Sequence, residues 1–238
     1  PAKPAPIPGR PEEALASMGN YIFNTSFLVD ALKRDAADPN SSHDFGKDIL
    51  PSIYAEKQFF SYDFTTNMIP GAAAGERNTY WRDVGTIEAY FEANMDLRAV
   101  KPEFNFYNDQ WPIHTIEYGG PPAKFVHNWG ERVGHALNSL VCEGSILSGT
   151  TVTDSIIGRT VFIHSYSEIN ECIIMDNVEI RRHCKLRRVI VDKNVRLPEG
   201  SVVGFDPDED RKKYFVSEGG IVVIARESRI QQLGTLSL

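Results

Sequence analysis

Three polar residues stand out at expected strand ends and loops. They are Ser17 in Ser-Met-Gly-Asn-Tyr, Asp44 in His-Asp-Phe-Gly-Lys-Asp and Asp83 in Tyr-Trp-Arg-Asp-Val-Gly. Residue type by itself favours structural duties for them: a strand serine, a helix cap and an ion-pair partner of Arg82. Basic side chains crowd between 181 and 196, where Arg181, Arg182, Lys185, Arg187, Arg188, Lys193 and Arg196 meet the single acid Asp192. Such a cluster suits a small anionic ligand, or a solvated basic edge that deters strand pairing. His164 and His183 would serve as a general base if their segment belonged to an acyltransferase. Neither glycine-rich phosphate loop is present, nor Cys/His metal spacing, nor a Gly-x-Ser-x-Gly nucleophile turn. If the protein is an enzyme, its main phosphate-gripping element is expected outside this stretch.

The elements that carry these residues alternate in type. Five prolines within the first eleven residues predict an extended loop there. A strand is expected over 17–23, followed by a helix capped at 24–26 with Phe27, Leu28, Ala31 and Leu32 on its apolar face, stopping before Asp38-Pro39. A helix over 48–56, a strand over 58–64 and a helix capped by Thr86 with Ile87, Tyr90, Phe91 and Met95 on one face follow. Alternating strand and helix predict an α/β region ending near Tyr118, with Gly119-Gly120-Pro121-Pro122 as the boundary.

Beyond that boundary the sequence repeats every seventeen residues. Leu140, Ile157, Ile174 and Val191 form one apolar column. Ile146, Ile163, Ile180 and Leu197 form a second, and Val152, Ile169, Leu186 and Val203 a third. Val161, Val178 and Val195 add a fourth, while Thr150, Ser167, Cys184 and Ser201 are uniformly small. Three inward positions per repeat describe a triangular coil of three short strands, and stacking about four coils buries a continuous aliphatic core. A short helix over 206–214 and a closing strand over 221–224 complete the pattern.

The 238 residues allow one or two domains, and 42% hydrophobic with 24% charged residues describes a globular protein. No window approaches the ~18 uninterrupted apolar residues of a transmembrane helix. The net charge of −7 lies in the first half: residues 1–118 carry 10 Lys+Arg against 17 Asp+Glu, and residues 119–238 carry 15 of each. That distribution argues against nucleic-acid and anionic-membrane binding. Three cysteines make no disulfide framework and suit a reducing, cytoplasmic setting. A start at Pro1 without Met predicts a piece of a longer chain.

Four runs bring a family into view. Ala16-Ser17-Met18-Gly19-Asn20-Tyr21, Ser42-His43-Asp44-Phe45-Gly46-Lys47-Asp48-Ile49, Tyr80-Trp81-Arg82-Asp83-Val84-Gly85-Thr86 and Pro121-Pro122-Ala123-Lys124-Phe125-Val126 together resemble bacterial glucose-1-phosphate adenylyltransferase. Trp111-Pro112-Ile113 and the repeats continue the match. The resemblance implies the C-terminal ~60% of that enzyme. Residues 1–118 would be the back half of a Rossmann-like α/β nucleotidyltransferase domain, 119–136 a linker, and 137–238 a left-handed parallel β-helix with a tail. The glycine-rich ATP loop, a first metal-binding Asp and a Glu-Lys-Pro sugar-phosphate motif ending at Pro1 would lie upstream, leaving the isolated chain inactive.

By the same resemblance, Asp83 is a metal-binding carboxylate for Mg²⁺, and Ser17, Tyr21, Asp44, Phe45 and Trp81 line a glucose-1-phosphate pocket. Phe45 and Trp81 fit a plain core role equally. Arg181, Arg182, Arg187 and Arg188 are the β-helix contribution to a site for small anionic allosteric effectors. ATP and glucose 1-phosphate are the implied substrates and a homotetramer the implied assembly. A related sugar-1-phosphate nucleotidyltransferase, or a non-catalytic regulatory subunit of the same fold, are the alternatives.

Overall fold

In the computed structural model, which describes residues 6–54, 58–72 and 79–226, the chain falls into two units that part between Asn67 and Met68. Extended chain becomes strand only when a partner satisfies its amides, and this rule decides the first unit. The proline-rich opening is not a loop throughout: Pro6–Ile7 and Arg10–Ala14 pair antiparallel, with Gly9 at φ +80° in the turn. Prolines are tolerated because a two-stranded ribbon has an outer edge that needs no N–H donors. The expected strands over 17–23 and 58–64 do not form, since no described segment pairs with either. Residues 1–5 lie outside the described residues.

Helix α1 (Thr25–Ala36) follows Asn24 as expected and ends before Asp38-Pro39. The next helical stretch starts earlier than its apolar pattern suggested. A π-helical turn, Phe45–Ile49, runs into α2 (Leu50–Ile53). Asp44 causes the early start by capping it, accepting from the Gly46 and Lys47 amides at 2.8 Å each. Ala31, Ile49 and Ile53 form the buried core of this unit, with Phe23, Phe27, Phe45 and Leu50 packed around them.

The second unit contains α3 (Ile87–Asp96), whose cap Thr86 accepts the Ala89 amide through Oγ1 at 3.1 Å. Past Pro122 the chain winds into a parallel β-helix whose faces are sheets of six, five and five strands. Strands of neighbouring coils are parallel; the closing pair, Phe215–Val216 against Val222–Ile224, and a hairpin, Asn128–Trp129 against Arg132–Val133, are antiparallel. Val152, Ile169, Leu186 and Val203 stack in register, seventeen apart. Ile157, Ile174 and Val191 do likewise, as do Ile163, Ile180 and Leu197.

The first coil departs from the seventeen-residue columns by one residue. Ile157 lies opposite Val141 rather than Leu140, and Ile163 opposite Leu147 rather than Ile146. The turn between Leu147 and Val152 is one residue shorter than the one between Ile163 and Ile169, so the period is sixteen until that corner. Ile146 and Leu147 are adjacent and equally apolar, which hid the slip; Leu147 is fully buried and Ile146 is not.

Inside the coils, buried hydroxyls are satisfied by the neighbouring turn. Thr150 donates to the Ser167 carbonyl at 2.6 Å, and Ser167 Oγ donates to the Arg181 carbonyl while accepting the Cys184 amide. Gly204 (φ +85°) closes the last coil against the Arg187 carbonyl, where an added Cβ would lie 1.8 Å from oxygen. The expected late helix is Pro207–Arg211, capped by Asp206. Among the described residues no helix is long and apolar enough to cross a membrane.

Candidate functional site

Within the first unit, Ser17, Tyr21 and Phe45 come together. Ser17 Oγ lies 2.5 Å from Tyr21 Oη and also accepts the Gly19 amide at 3.1 Å, which folds residues 17–21 into a tight loop. The Tyr21 ring stacks on Phe45, with centroids 6.1 Å apart and planes at 14°, and Phe23 completes an aromatic trio. Tyr21 stays exposed, so the group presents hydroxyls beside ring faces to solvent. Asp44, adjacent to Phe45, uses Oδ1 for both capping bonds. Its Oδ2 accepts no bond among the described residues.

The loop bearing Asp44 is fixed by a hydroxyl–carboxylate web. Ser42 donates to Asp48 Oδ2 at 2.5 Å, and the Asp44 amide donates to the same oxygen at 3.1 Å. The Ser42 hydroxyl foremost, with that amide, holds the Asp48 carboxyl below its ordinary range. His43 Nδ1 sits 2.8 Å from Asp35 Oδ2, and the Ser41 hydroxyl, ahead of His43, lowers the Asp35 carboxyl.

Trp81 and Asp83 belong to the second unit. Both are exposed, on the loop that leads into α3. Asp83 neither pairs with Arg82 nor caps α3: Arg82 reaches Glu103 at 3.6 Å, and Thr86 is the cap. Asp83 Oδ1 accepts the Gly85 amide at 2.9 Å, while Oδ2 accepts nothing among the described residues. One carboxylate oxygen is thereby oriented and the other left open, as a hard cation sharing its shell with phosphate and water requires. Among the described residues no three His, Cys, Asp or Glu converge on a common point.

The four arginines occupy two corners of one coil. Arg181 and Arg182 precede the strand Lys185–Arg187, and Arg187 and Arg188 end it and turn the next corner. Arg181 pairs with Glu179 at 3.1 Å, Arg187 lies over the Phe205 ring at 5.4 Å, and Arg188 lies over Phe91 at 5.6 Å. Arg182 has no partner among the described residues. The two histidines are also engaged: His164 stacks on Phe162 and meets Glu179 at 3.1 Å, while His183 stacks on Tyr166. Burial pushes the Cys172 thiol up to about 12 and raises Cys142 and Cys184, so no nucleophilic thiolate is on offer.

Sequence reasoning passed over Arg159. Its guanidinium lies 3.4 Å from the Tyr118 ring centroid and 2.6 Å from Asp176 Oδ2, pinning Tyr118 to the coils. Opposite charges seventeen residues apart were the available signal for the Arg159–Asp176 pair; nothing in the sequence marks Tyr118.

Two family models match the chain in order: Nucleotidyl transferase over residues 3–100 and GlmU-like, C-terminal hexapeptide over residues 121–224. Relatives named glucose-1-phosphate adenylyltransferase match almost all of it. The one from Anaeromyxobacter sp. (strain Fw109-5) is 50% identical over 227 residues, 94% of this chain and 55% of that protein. Those from Nitrosospira multiformis and Alteromonas mediterranea are 47% and 46% identical over 98% and 100% of this chain, each across 54% of the relative. The chain thus spans about half the length of the curated relatives it matches.

Proposed function

Because the chain belongs to the glucose-1-phosphate adenylyltransferase family, we propose that it supplies the sugar-phosphate pocket, one metal-binding carboxylate and the β-helix of an enzyme that makes ADP-glucose. The full protein joins ATP to glucose 1-phosphate: an oxygen of the sugar phosphate attacks the α-phosphorus, and pyrophosphate leaves. The Ser17–Tyr21–Phe45 group carries the reading, because hydroxyls beside aromatic faces match a sugar, whose edges alternate O–H and C–H. Asp44 Oδ2 extends that group; Trp81 is assigned to the same substrate on the family resemblance alone.

Phosphoryl transfer depends on positioning and on neutralised charge more than on a covalent nucleophile. Mg²⁺, when bound, neutralises charge on the phosphates and orients them. Asp83 is the residue of this chain that would hold it, with Oδ1 fixed by Gly85 so that the carboxylate is oriented before the ion arrives. A domain boundary at residue 118 fits the gap between the two family models at 100 and 121. We place the full protein in the cytoplasm as a homotetramer, with Arg181, Arg182 and Arg187 toward anionic effectors.

The test is Asp83→Asn in the full-length protein, which keeps size but removes the charge. The expected outcome is an unchanged melting temperature with kcat at least a hundredfold lower and a higher Mg²⁺ requirement. Near-normal kcat at ordinary Mg²⁺ would reject the assignment, whereas absence of turnover in the unsubstituted full-length protein would favour a regulatory subunit.

A further inference from the structure

One corner of the β-helix is built to receive a helix. Asp154, Glu171 and Arg188 are spaced seventeen residues apart, and all three adopt left-handed backbone at φ between +49° and +56°. Their side chains therefore project from the same corner of successive coils. Helix α3 meets that corner along its length. Arg98, just beyond its end, donates to Asp154 at 2.8 Å, and Arg188, held 3.9 Å from Glu171, covers the Phe91 ring. Phe91 is 5% exposed among Ile173, Ile190 and Ile221. At the other end of the helix, Glu88 accepts the Gly219 amide at 2.9 Å. The Ser217 hydroxyl, ahead of that amide, keeps the Glu88 carboxyl below its ordinary range. A cleft of about 320 Å³ remains between helix and coils, lined among others by Glu88, Phe91, Glu92, Met95, Glu171 and Arg188.

Helix α3 begins four residues after Asp83; Thr86 ties the intervening loop to its first turn, and the Gly85 amide holds the Asp83 carboxylate within that loop. A helix seated at both ends transmits its position to that loop. We propose that the Asp154–Glu171–Arg188 corner and the Gly219 amide form a seat for α3, and that Glu88, Arg98 and Arg188 are positioning residues that set where the Asp83 carboxylate stands. Arg188 thereby leaves the effector group and joins the seat. The inference rests on the metal role of Asp83 only for its effect on activity; the seat itself is testable without it.

The experiment compares Glu88→Ala, Glu88→Gln and Asp154→Asn in the full-length protein. It reads the Mg²⁺ concentration for half-maximal rate, kcat, and hydrogen exchange at the Gly85 and Ala89 amides. Glu88→Ala removes the acceptor of the Gly219 amide. It should raise the Mg²⁺ requirement and lower kcat at least fivefold, with KM for ATP within twofold, and speed exchange at both amides at least tenfold. Glu88→Gln keeps an acceptor oxygen and should stay within twofold of the parent in every measure. Asp154→Asn keeps the left-handed corner that asparagine tolerates and should give a two- to fivefold change. Parent-like exchange and Mg²⁺ dependence in Glu88→Ala and Asp154→Asn would overturn the proposal. So would equal effects of Gln and Ala at 88, which would point to lost charge at the helix N-terminus. Faster exchange in Glu88→Ala beside a normal Asp83→Asn enzyme would uphold the seat and sink the metal assignment instead.

Discussion

The two units solve the same problem, burying apolar surface, in opposite ways. The β-helix core is a stack in which Val152, Ile169, Leu186 and Val203 repeat one solution coil after coil, each sealed by the next. The first unit gathers Ala31, Ile49 and Ile53 once, from one helix and one kinked helical stretch. A stack distributes its stability over nearest neighbours, whereas a single small cluster has no second copy to fall back on. Damage should therefore spread differently in the two.

Replacing a fully buried aliphatic residue by aspartate in each unit gives the largest contrast. Val178→Asp leaves an unpaired charge inside the middle coil, and Ile53→Asp does so in the small cluster. Each should cost at least about 3 kcal/mol. Amide hydrogen exchange should report loss of protection across the coils on both sides of residue 178, with α1 keeping its own. Ile53→Asp should strip protection from α1 and leave the coils untouched. If either substitution melts both units together, the division at Asn67 and Met68 is not an energetic one.

The same contrast governs what could be read from sequence. A coil repeats its demand for an aliphatic residue every seventeen positions, so the columns through Ile169 and Ile180 announced register as well as fold. The slip in the first coil escaped because Ile146 and Leu147 are interchangeable by type. In the first unit the helix of Thr25–Ala36 was visible from its periodicity, but 17–23 and 58–64 have strand-like composition without a partner strand, and pairing is not a local property. Of the candidate site, Ser17, Asp44 and Asp83 stood out by setting, and the family resemblance added Tyr21, Phe45 and Trp81. The cap at Asp44 was legible because its bonds reach only the Gly46 and Lys47 amides; that Arg188 belongs under α3 depends on a contact with Phe91, about a hundred residues away.

The slip gives the next test in size. Leu147→Ala opens a cavity in a fully buried site and should cost about 2–5 kcal/mol. Ile146→Ala, on the partly exposed side of the same strand, should cost less than about 1 kcal/mol. Denaturant titration of both variants reads the difference. A larger loss at Ile146 than at Leu147 would restore the unbroken seventeen-residue period at this corner.

The smallest expected effect separates a structural aspartate from one with a second duty. Asp44 and Asp206 each cap a helical segment, one per unit, through Oδ1 to two backbone amides. Alanine at either position should cost about 1 kcal/mol of stability. Serine, which also caps, should recover most of it at both. At Asp206 nothing beyond the cap is expected. At Asp44 the second oxygen, in the residue next to Phe45, accepts no bond among the described residues, and serine does not replace it. If that oxygen binds a sugar hydroxyl, Asp44→Ser in the full-length protein should restore the melting temperature yet leave KM for glucose 1-phosphate about tenfold high. That factor is the scale of one lost hydrogen bond to a charged group. Recovery of KM together with stability would make Asp44 a cap and nothing more, and the pocket would then rest on Ser17, Tyr21 and Phe45.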